Sequence, residues 1–284
     1  MPEKKVYLDP WLTALGIILV TGQRGIGKSW FLLALLFAIA KRKGFGPWNA
    51  VNTDPGLYLD GEMAGQDAQE RLITLDSTGE RESPLYIYSD AYAASQGLPR
   101  ANLLNPEWRK QMKDLLLDLG VKVWVVDNIA SLTPNIDENS KQEWDPINQW
   151  LLELRFNEIT TILAHHTNRS GGQRGTSGRE DNIDISILLK HPEGYTAEDG
   201  VSFIVSFTKA RIATPQLSKI ADTAFRMEID HTGKTVWTWK AVKQQLKEQI
   251  LNMHKEGMNP KDIANDLKCS HQHVYQTIKR HENG

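Results

Sequence analysis

The sequence contains very little cysteine: its 284 residues include one, Cys269. A single thiol excludes a disulfide within the chain, and with it the class of small secreted domains that depend on disulfides. We therefore expect a reducing compartment and a cytoplasmic location. The amino-terminal residues also lack the apolar core of a secretory signal, which agrees with this expectation.

Long apolar runs and an excess of one charge are missing as well. The run Trp30–Ala40 covers about half of a membrane span and is followed by three basic residues, Lys41-Arg42-Lys43. We expect a helix buried against a sheet and no membrane partner. The formal net charge is −2, so any binding of nucleic acid must come from local patches rather than from the whole chain.

A glycine-rich motif near the amino end lies between an apolar run and a helix pattern. Ile17–Val20 is typical of a buried parallel strand, and Gly22–Ser29 fits G-x-x-x-x-G-K-[S/T] at every position. Glycines let the backbone aim several N–H groups at one point, and the positive end of the next helix adds to their field. The motif predicts a phosphate-binding loop for ATP. The predicted nucleotide-binding residues are Gly22, Gln23, Arg24, Gly25, Ile26, Gly27, Lys28, Ser29 and Trp30.

A second motif, Val121–Asp127, is a mainly β-branched run that ends in an aspartate. We predict that Asp127 and the hydroxyl of Ser29 hold Mg²⁺, because this ion prefers oxygen ligands and keeps much of its hydration. Lys28 supplies a mobile positive charge for the β- and γ-phosphates.

The carboxylate that orients the attacking water is not adjacent to Asp127. Asn128 stands where a large branch of P-loop ATPases has a glutamate. Asp60 and Glu62 follow another buried strand, and strand alternation places both on the same side. The spacing therefore leaves both carboxylates as candidates.

A pair of histidines, His165 and His166, ends the predicted buried strand Thr160–Ala164. A neutral imidazole can donate a hydrogen bond to a phosphate, so a histidine here could detect the γ-phosphate. We assign this role to His166, although His165 could exchange roles with it.

Basic residues at two further places predict contacts with DNA and with a neighbouring subunit. The glycine-rich loop Ser170–Asn182 carries Arg174 and Arg179, which suits contact with single-stranded DNA. Lys209 and Arg211 share one face at the end of a strand. In an oligomer they could reach a neighbour's γ-phosphate as an arginine finger.

The order of predicted elements indicates the fold. Strands and helices alternate along the first part of residues 1–240, and a run of strands follows. This order predicts an α/β core, a mostly parallel sheet flanked by helices with an antiparallel extension. Residues 1–14 and 90–105 are predicted to be irregular. The predicted helices are Trp30–Ala40, Ala64–Leu75, Pro106–Leu119 and Glu143–Asn157, and the later strands are Ile183–Leu189, Val201–Thr208, Ala224–Ile229 and Thr235–Trp239.

Residues 241–284 predict a small all-α domain. A helix pattern over Val242–Glu256 stops at Gly257, and two short helices follow, the last capped by Ser270. Two short helices joined by a tight turn predict a helix-turn-helix that binds duplex DNA in the major groove. The charge of this segment favours DNA binding only weakly, since it has seven Lys and Arg and five Asp and Glu, a net of +2. The predicted DNA contacts are Ser270, His271, Gln272, His273, Gln276, Lys279 and Arg280.

Taken together, these motifs resemble the RecA-type ATPases, and within them the hexameric replicative helicase branch that includes RepA-like plasmid helicases. Leu57–Met63 looks like the strand of that family that carries the catalytic glutamate, and Ala164–Arg169 looks like its sensor strand. Gly175–Asp184 resembles the return from loop to strand, and Lys209-Ala210-Arg211 matches the Lys-x-Arg finger. The resemblance covers about residues 10–240.

The resemblance implies a RecA-like fold and an ATP- and Mg²⁺-dependent homo-oligomer, a hexameric ring that unwinds DNA. It implies Glu62 rather than Asp60 as the catalytic carboxylate, with Lys28, His166, Lys209 and Arg211 as its catalytic partners. One alternative is an ATP-switched regulator or helicase loader that recognises duplex DNA without unwinding it. Another is a small-molecule kinase, which would not need the finger or the last domain.

Overall fold

The central element of the fold is a large twisted sheet, seen in a computed structural model that describes residues 3–75, 79–136, 140–167 and 182–282. The strands are β1 (Val6–Asp9), β2 (Leu12–Thr13), β3 (Ile17–Gly22), β4 (Asn49–Ala50), β5 (Gly56–Asp60), β6 (Leu85–Ser89), β7 (Val123–Asp127), β8 (Thr160–His166), β9 (Ile185–Lys190), β10 (Val201–Ala210), β11 (Thr223–Ile229) and β12 (Thr235–Ala241). The helices are α1 (Lys28–Ala40), α2 (Gly65–Leu75), α3 (Asp90–Ser95), α4 (Pro106–Asp118), α5 (Ile129–Leu132), α6 (Lys141–Phe156), α7 (Val242–Lys255), α8 (Pro260–Asp266) and α9 (His271–Glu282), with short 3-10 helices at Ala197–Asp199 and Thr214–Ile220.

Nine of these strands, counted within the described residues, form one sheet in the order β12-β11-β10-β9-β3-β8-β7-β5-β6. The six strands from β9 to β6 in this order are parallel, and β9 to β12 pair in antiparallel fashion. The predicted mostly parallel sheet with an antiparallel extension is therefore confirmed. Strands β3, β5, β7 and β8 are buried along their whole length, as expected for parallel strands covered on both faces.

Helices cover both faces of the parallel part. On one face, α1 is apolar on all sides and packs into a core with Phe31, Phe203 and Phe225. On the other face, the core contains Trp108, Trp124 and Trp150. Within the described residues, every helix is too short or too polar to span a lipid bilayer.

The parallel strands bring chemically reactive side chains to one edge of the sheet. Gly22 lies beside His166 at the ends of β3 and β8, and Asp60 lies beside Asp127 at the ends of β5 and β7. Ligands bind at this carboxyl edge in open parallel sheets. The fold therefore brings the loop, Asp60, Asp127 and His166 together, although more than a hundred positions of sequence separate the loop from His166.

Two predictions of irregular structure are wrong over part of their length. In residues 1–14, β1 and β2 pair with each other, and β1 also pairs with β4 through Leu8 and Ala50. This pairing spans about forty residues and leaves no local pattern. In residues 90–105, α3 begins because the Ser89 hydroxyl accepts a hydrogen bond from the Tyr92 amide.

The last three helices form a separate small core. It is built by Ile250 of α7, Ile263 and Ala264 of α8, and Val274 and Ile278 of α9. The predicted helix starts are present: the Asn259 side chain accepts from two amides at the start of α8, and Ser270 Oγ accepts from the His273 amide at 3.2 Å.

Candidate nucleotide-binding site

The loop Gly22–Ser29 turns from β3 into α1 with glycine at positions where a side chain would be strained or would collide. Gly25 and Gly27 have φ of 79° and 104°, in the left-handed region that favours glycine. A Cβ on Gly27 would lie 2.8 Å from Val201 Cγ1, and a Cβ on Gly22 would lie 3.0 Å from the Leu189 carbonyl oxygen. The loop is thus a cradle lined by backbone, as phosphate binding requires.

Lys28, the first residue of α1, turns its side chain back over this loop. Its ammonium donates to the carbonyl oxygens of Gly22 and Gln23 at 3.0 and 2.9 Å. Burial lowers the pKa of Lys28 to about 8, while the charges of Asp127 and Glu62 act in the opposite direction. The ammonium therefore remains mostly charged at neutral pH.

His166 connects Lys28 to Glu62. Its Nδ1 lies 2.9 Å from Lys28 Nζ, and its Nε2 lies 3.3 Å from Glu62 Oε1. An ammonium can only donate, so Nδ1 accepts and we assign the ring proton to Nε2, where it points at the carboxylate. The Asn128 amide nitrogen lies 3.0 Å from Nε2, and with the ring proton on Nε2 it donates to Glu62 rather than to the ring. His165, buried on the opposite side of β8, takes no part in this chain.

Asp60 and Glu62, which sequence spacing could not separate, occupy different environments. Asp60 is buried, and its Oδ1 accepts from the amides of Glu62 and Met63, both at 3.1 Å. Burial raises the pKa of Asp60 to about 6. Glu62 is partly exposed, and its hydrogen bond with His166 lowers its pKa to about 2. Asp60 thus shapes the turn that presents an ionised Glu62.

Tyr58 is the residue of this site that sequence reasoning missed. Its hydroxyl is fully buried and donates to Asp127 Oδ2 at 2.5 Å, and its other hydrogen-bonding neighbour is the Ser29 side chain. Burial raises the pKa of Tyr58 well above its usual range. One signal was available, since a polar atom two residues before Asp60 in a buried strand must find a partner on the same face.

The oxygen donors at this edge fit Mg²⁺. Among the described residues, no three histidine, cysteine, aspartate or glutamate side chains come together in a way that could hold a metal ion. A protein-only metal centre would need such a cluster, whereas Mg²⁺ commonly takes one or two protein oxygens and draws the rest of its ligands from phosphates and water. Ser29 and Asp127, beside the glycine-rich loop, would supply such protein oxygens.

Lys209 and Arg211 lie at the opposite end of the strands from the loop, where the parallel strands begin. Because β10 runs antiparallel to β9, its end lies beside Ile185, at the start of β9. Ile17 of β3 is level with this end of β10. Gly22 lies five residues further along β3, a distance of roughly 16 Å. Arg211 Nη1 lies 3.3 Å from Asp184 Oδ1, and its side chain is about half exposed. The structure therefore does not bring these two residues to the loop of their own chain.

The other residues predicted to bind nucleotide or DNA belong to three different parts of the chain. Trp30 lies in the first turn of α1, with the guanidinium of Arg71 5.0 Å from its ring centre. Arg174 and Arg179 fall outside the described residues. On α9 and its cap, the predicted DNA contacts are all exposed: Ser270, His271, Gln272, His273, Gln276, Lys279 and Arg280.

Comparisons with known proteins agree with this architecture. Residues 1–172 match a family model described as an AAA domain, and residues 241–284 match one described as a homeodomain-like domain. Among solved structures, the chain is similar to a KaiC-like protein from the hyperthermophilic archaeon Pyrococcus horikoshii. The two share 19% sequence identity with a TM-score of 0.56 over 82% of this chain and 93% of that one, a likeness of fold. No curated protein matches the chain.

Proposed function

This chain belongs to the AAA domain family, and from that premise we propose that it is an ATP-hydrolysing, DNA-associated ring motor of the replicative helicase kind, serving a plasmid or mobile element. The single observation that carries the proposal is the row formed by Lys28, His166 and Glu62 at the carboxyl edge of the sheet. ATP hydrolysis needs a cation that binds the phosphates and a carboxylate that orients the attacking water. In this row an imidazole ring connects the two.

Each residue of the row has a distinct task. Lys28 offers its charge to the β- and γ-phosphates, and the backbone of Gly22–Gly27 surrounds them. Glu62 is ionised and partly exposed, so it orients and polarises the attacking water. His166 touches both, so a change at the phosphate side alters the hydrogen bond that holds Glu62. Ser29 and Asp127 would hold Mg²⁺, which neutralises phosphate charge when bound.

The position of Arg211 favours an assembly of copies. Its guanidinium is half exposed at the edge of the sheet opposite its own loop, steadied by Asp184. We assign Arg211, together with Lys209, to the nucleotide site of an adjacent subunit, where it stabilises charge on the γ-phosphate. A homo-oligomeric ring, most simply a hexamer, would place every Arg211 against a neighbour.

The last domain favours duplex DNA as a second partner. The exposed face of α9 carries amide, imidazole and basic side chains over a core of its own. Such a face suits contacts with base edges and phosphates in the major groove. This observation also supports the second candidate function, an ATP-switched regulator or loader that finds a duplex site without unwinding it.

ATP turnover without DNA, with single-stranded DNA and with duplex DNA tests the proposal, alongside solution mass with and without nucleotide. Strong stimulation by single strands in a ring-sized particle is the expected result. Stimulation by duplex alone, with assembly still following ATP, would select the regulator instead. Glu62→Gln should abolish hydrolysis while nucleotide still binds, and unchanged hydrolysis in this variant would overturn the proposed mechanism.

A further inference from the structure

Tyr58 carries a hydroxyl that packing alone does not require. It lies in the middle of β5 and belongs to the same buried core as the helix α1 that covers this face. Its neighbours in the strand, Leu57 and Leu59, are apolar and equally buried. A phenylalanine would fill the same space, and it would avoid the cost of burying a hydroxyl, which must be hydrogen-bonded.

The hydroxyl of Tyr58 lies between the two predicted ligands of the metal. Asp127 has the same strand parity as Val123 and Val125, which pack on α1, so its carboxylate faces the side of the sheet where Tyr58 lies. Ser29 is in the first turn of α1 and contacts the phenol oxygen from above the sheet. One neutral hydroxyl therefore touches both groups.

The direction of these hydrogen bonds follows from the number of hydrogens. A neutral phenol has one hydrogen, and Tyr58 gives it to Asp127 Oδ2 at 2.5 Å. Its oxygen can then only accept, so the hydroxyl of Ser29 donates to it. A serine hydroxyl has one hydrogen too, and with that hydrogen directed at Tyr58, its lone pairs point elsewhere.

We propose that Tyr58 is the positioning residue of the Mg²⁺ site: it orients the Asp127 carboxylate and turns the lone pairs of Ser29 outward for the ion. The inference rests on the proposed function, since it concerns the metal that accompanies ATP. Groups that orient metal ligands typically change metal affinity by about 10- to 100-fold when removed.

The test is Tyr58→Phe in the full-length chain. Mg²⁺ is titrated into protein saturated with ADP, and binding is followed by calorimetry. The dissociation constant for Mg²⁺ should rise about 10- to 100-fold. Binding of ADP in EDTA should be unchanged, because the variant leaves the loop Gly22–Gly27 intact. A purely structural role would weaken both equally, and an unchanged Mg²⁺ constant would overturn the proposal.

Two further variants complete the design. Tyr86→Phe removes a hydroxyl from neighbouring β6, on the face that packs against the other core, and should leave Mg²⁺ binding as in the wild type. Replacing Tyr58 with 4-aminophenylalanine keeps a donor in the same place and should restore most of the affinity. If this variant folds and binds Mg²⁺ no better than Tyr58→Phe, hydrogen-bond donation is not the cause. A wild-type protein that binds no nucleotide would instead overturn the proposed function.

Discussion

The Nζ of Lys28 lies 2.9 Å from Nδ1 of His166, although 138 positions of sequence separate the two residues. The glycine-rich loop before Lys28 and the strand that ends beside Glu62 are thereby joined through one imidazole ring. Because the ring contacts a cation on one nitrogen and an anion on the other, its tautomer is fixed by its neighbours.

His166→Ala should therefore uncouple hydrolysis from binding. The variant removes the hydrogen bond that lowers the pKa of Glu62 and positions its carboxylate. We expect kcat to fall about 100-fold or more, as when a preorganised donor is removed from an active site. Affinity for ATP should change little, since Lys28 keeps its carbonyl contacts. His165→Ala serves as the control, and an equal loss of kcat there would contradict the assignment.

Gly27→Ala and Gly25→Ala form a matched pair at the loop. Both residues have positive φ, so alanine costs about 1–2 kcal/mol of conformational strain at either position. A Cβ on Gly27 would also collide with Val201 at 2.8 Å, whereas a Cβ on Gly25 meets nothing within 4 Å. Thermal unfolding should show Gly27→Ala as the less stable variant. Equal stabilities would mean that the loop can move away from β10.

The pH dependence of stability should reveal the buried carboxyl of Asp60. Its pKa is about 6 in the folded chain, against an ordinary value of 3.8 for an aspartate carboxyl. A raised pKa means that the folded state binds the proton more tightly, so stability falls as pH rises from about 4 to 6. Over this range the loss of stability amounts to roughly 3 kcal/mol.

Asp60→Asn removes this dependence while keeping the oxygen that accepts from the Glu62 and Met63 amides. Relative to the wild type, the variant should gain stability progressively between pH 4 and 6 and hold that gain at pH 8. Urea unfolding of both proteins across this range measures the difference. A constant difference across the range would show that Asp60 does not titrate there.

Arg211→Ala should leave nucleotide binding intact and lower turnover. Mixing it with Glu62→Gln is the sharper experiment, because each variant keeps the half of the site that the other has lost. Mixed assemblies should recover part of the turnover that neither variant has alone. Failure to recover activity, with mixed assembly verified by mass, would remove Arg211 from the neighbour's site.

Gln276→Ala should weaken binding to a preferred duplex while leaving DNA-independent ATP turnover unchanged. A side chain that reads a base edge contributes about 1–3 kcal/mol, or roughly 5- to 150-fold in affinity. Lys255→Ala, at the end of α7, is the control outside the α9 surface. Fluorescence anisotropy over a panel of base-substituted duplexes provides the measurement. Equal losses for both variants would mean that α9 does not read sequence.

Much of the fold was predictable because its signals are contiguous. About ten consecutive residues are enough to recognise the loop Gly22–Ser29, each apolar strand and each of the last three helices. The RecA-like fold is confirmed, and the predicted helix-turn-helix region matches a homeodomain-like domain. The replicative helicase activity stays a proposal, since the motifs of an ATP site do not specify what the motion acts on.

What escaped prediction depends on contacts between distant parts of the chain. Asp60 and Glu62 have the same strand parity, and only the turn after β5 gives them different burial and opposite pKa shifts. The role of Tyr58 depends on the hydrogen-bond partners that α1 and β7 bring to it. No pattern along one strand encodes such partners.

The placement of Arg211 at the edge opposite Gly22 limits how copies of this chain can associate. If each copy completes the site of another, the surface that gives Arg211 differs from the surface that receives it. In the proposed ring such a contact is heterologous, so copies follow one another head to tail. The rotation from one copy to the next then decides between a closed ring and an open helix. In either form, hydrolysis in one copy depends on the Arg211 of one neighbour and not of the other. Successive hydrolysis events can therefore follow one direction through the assembly.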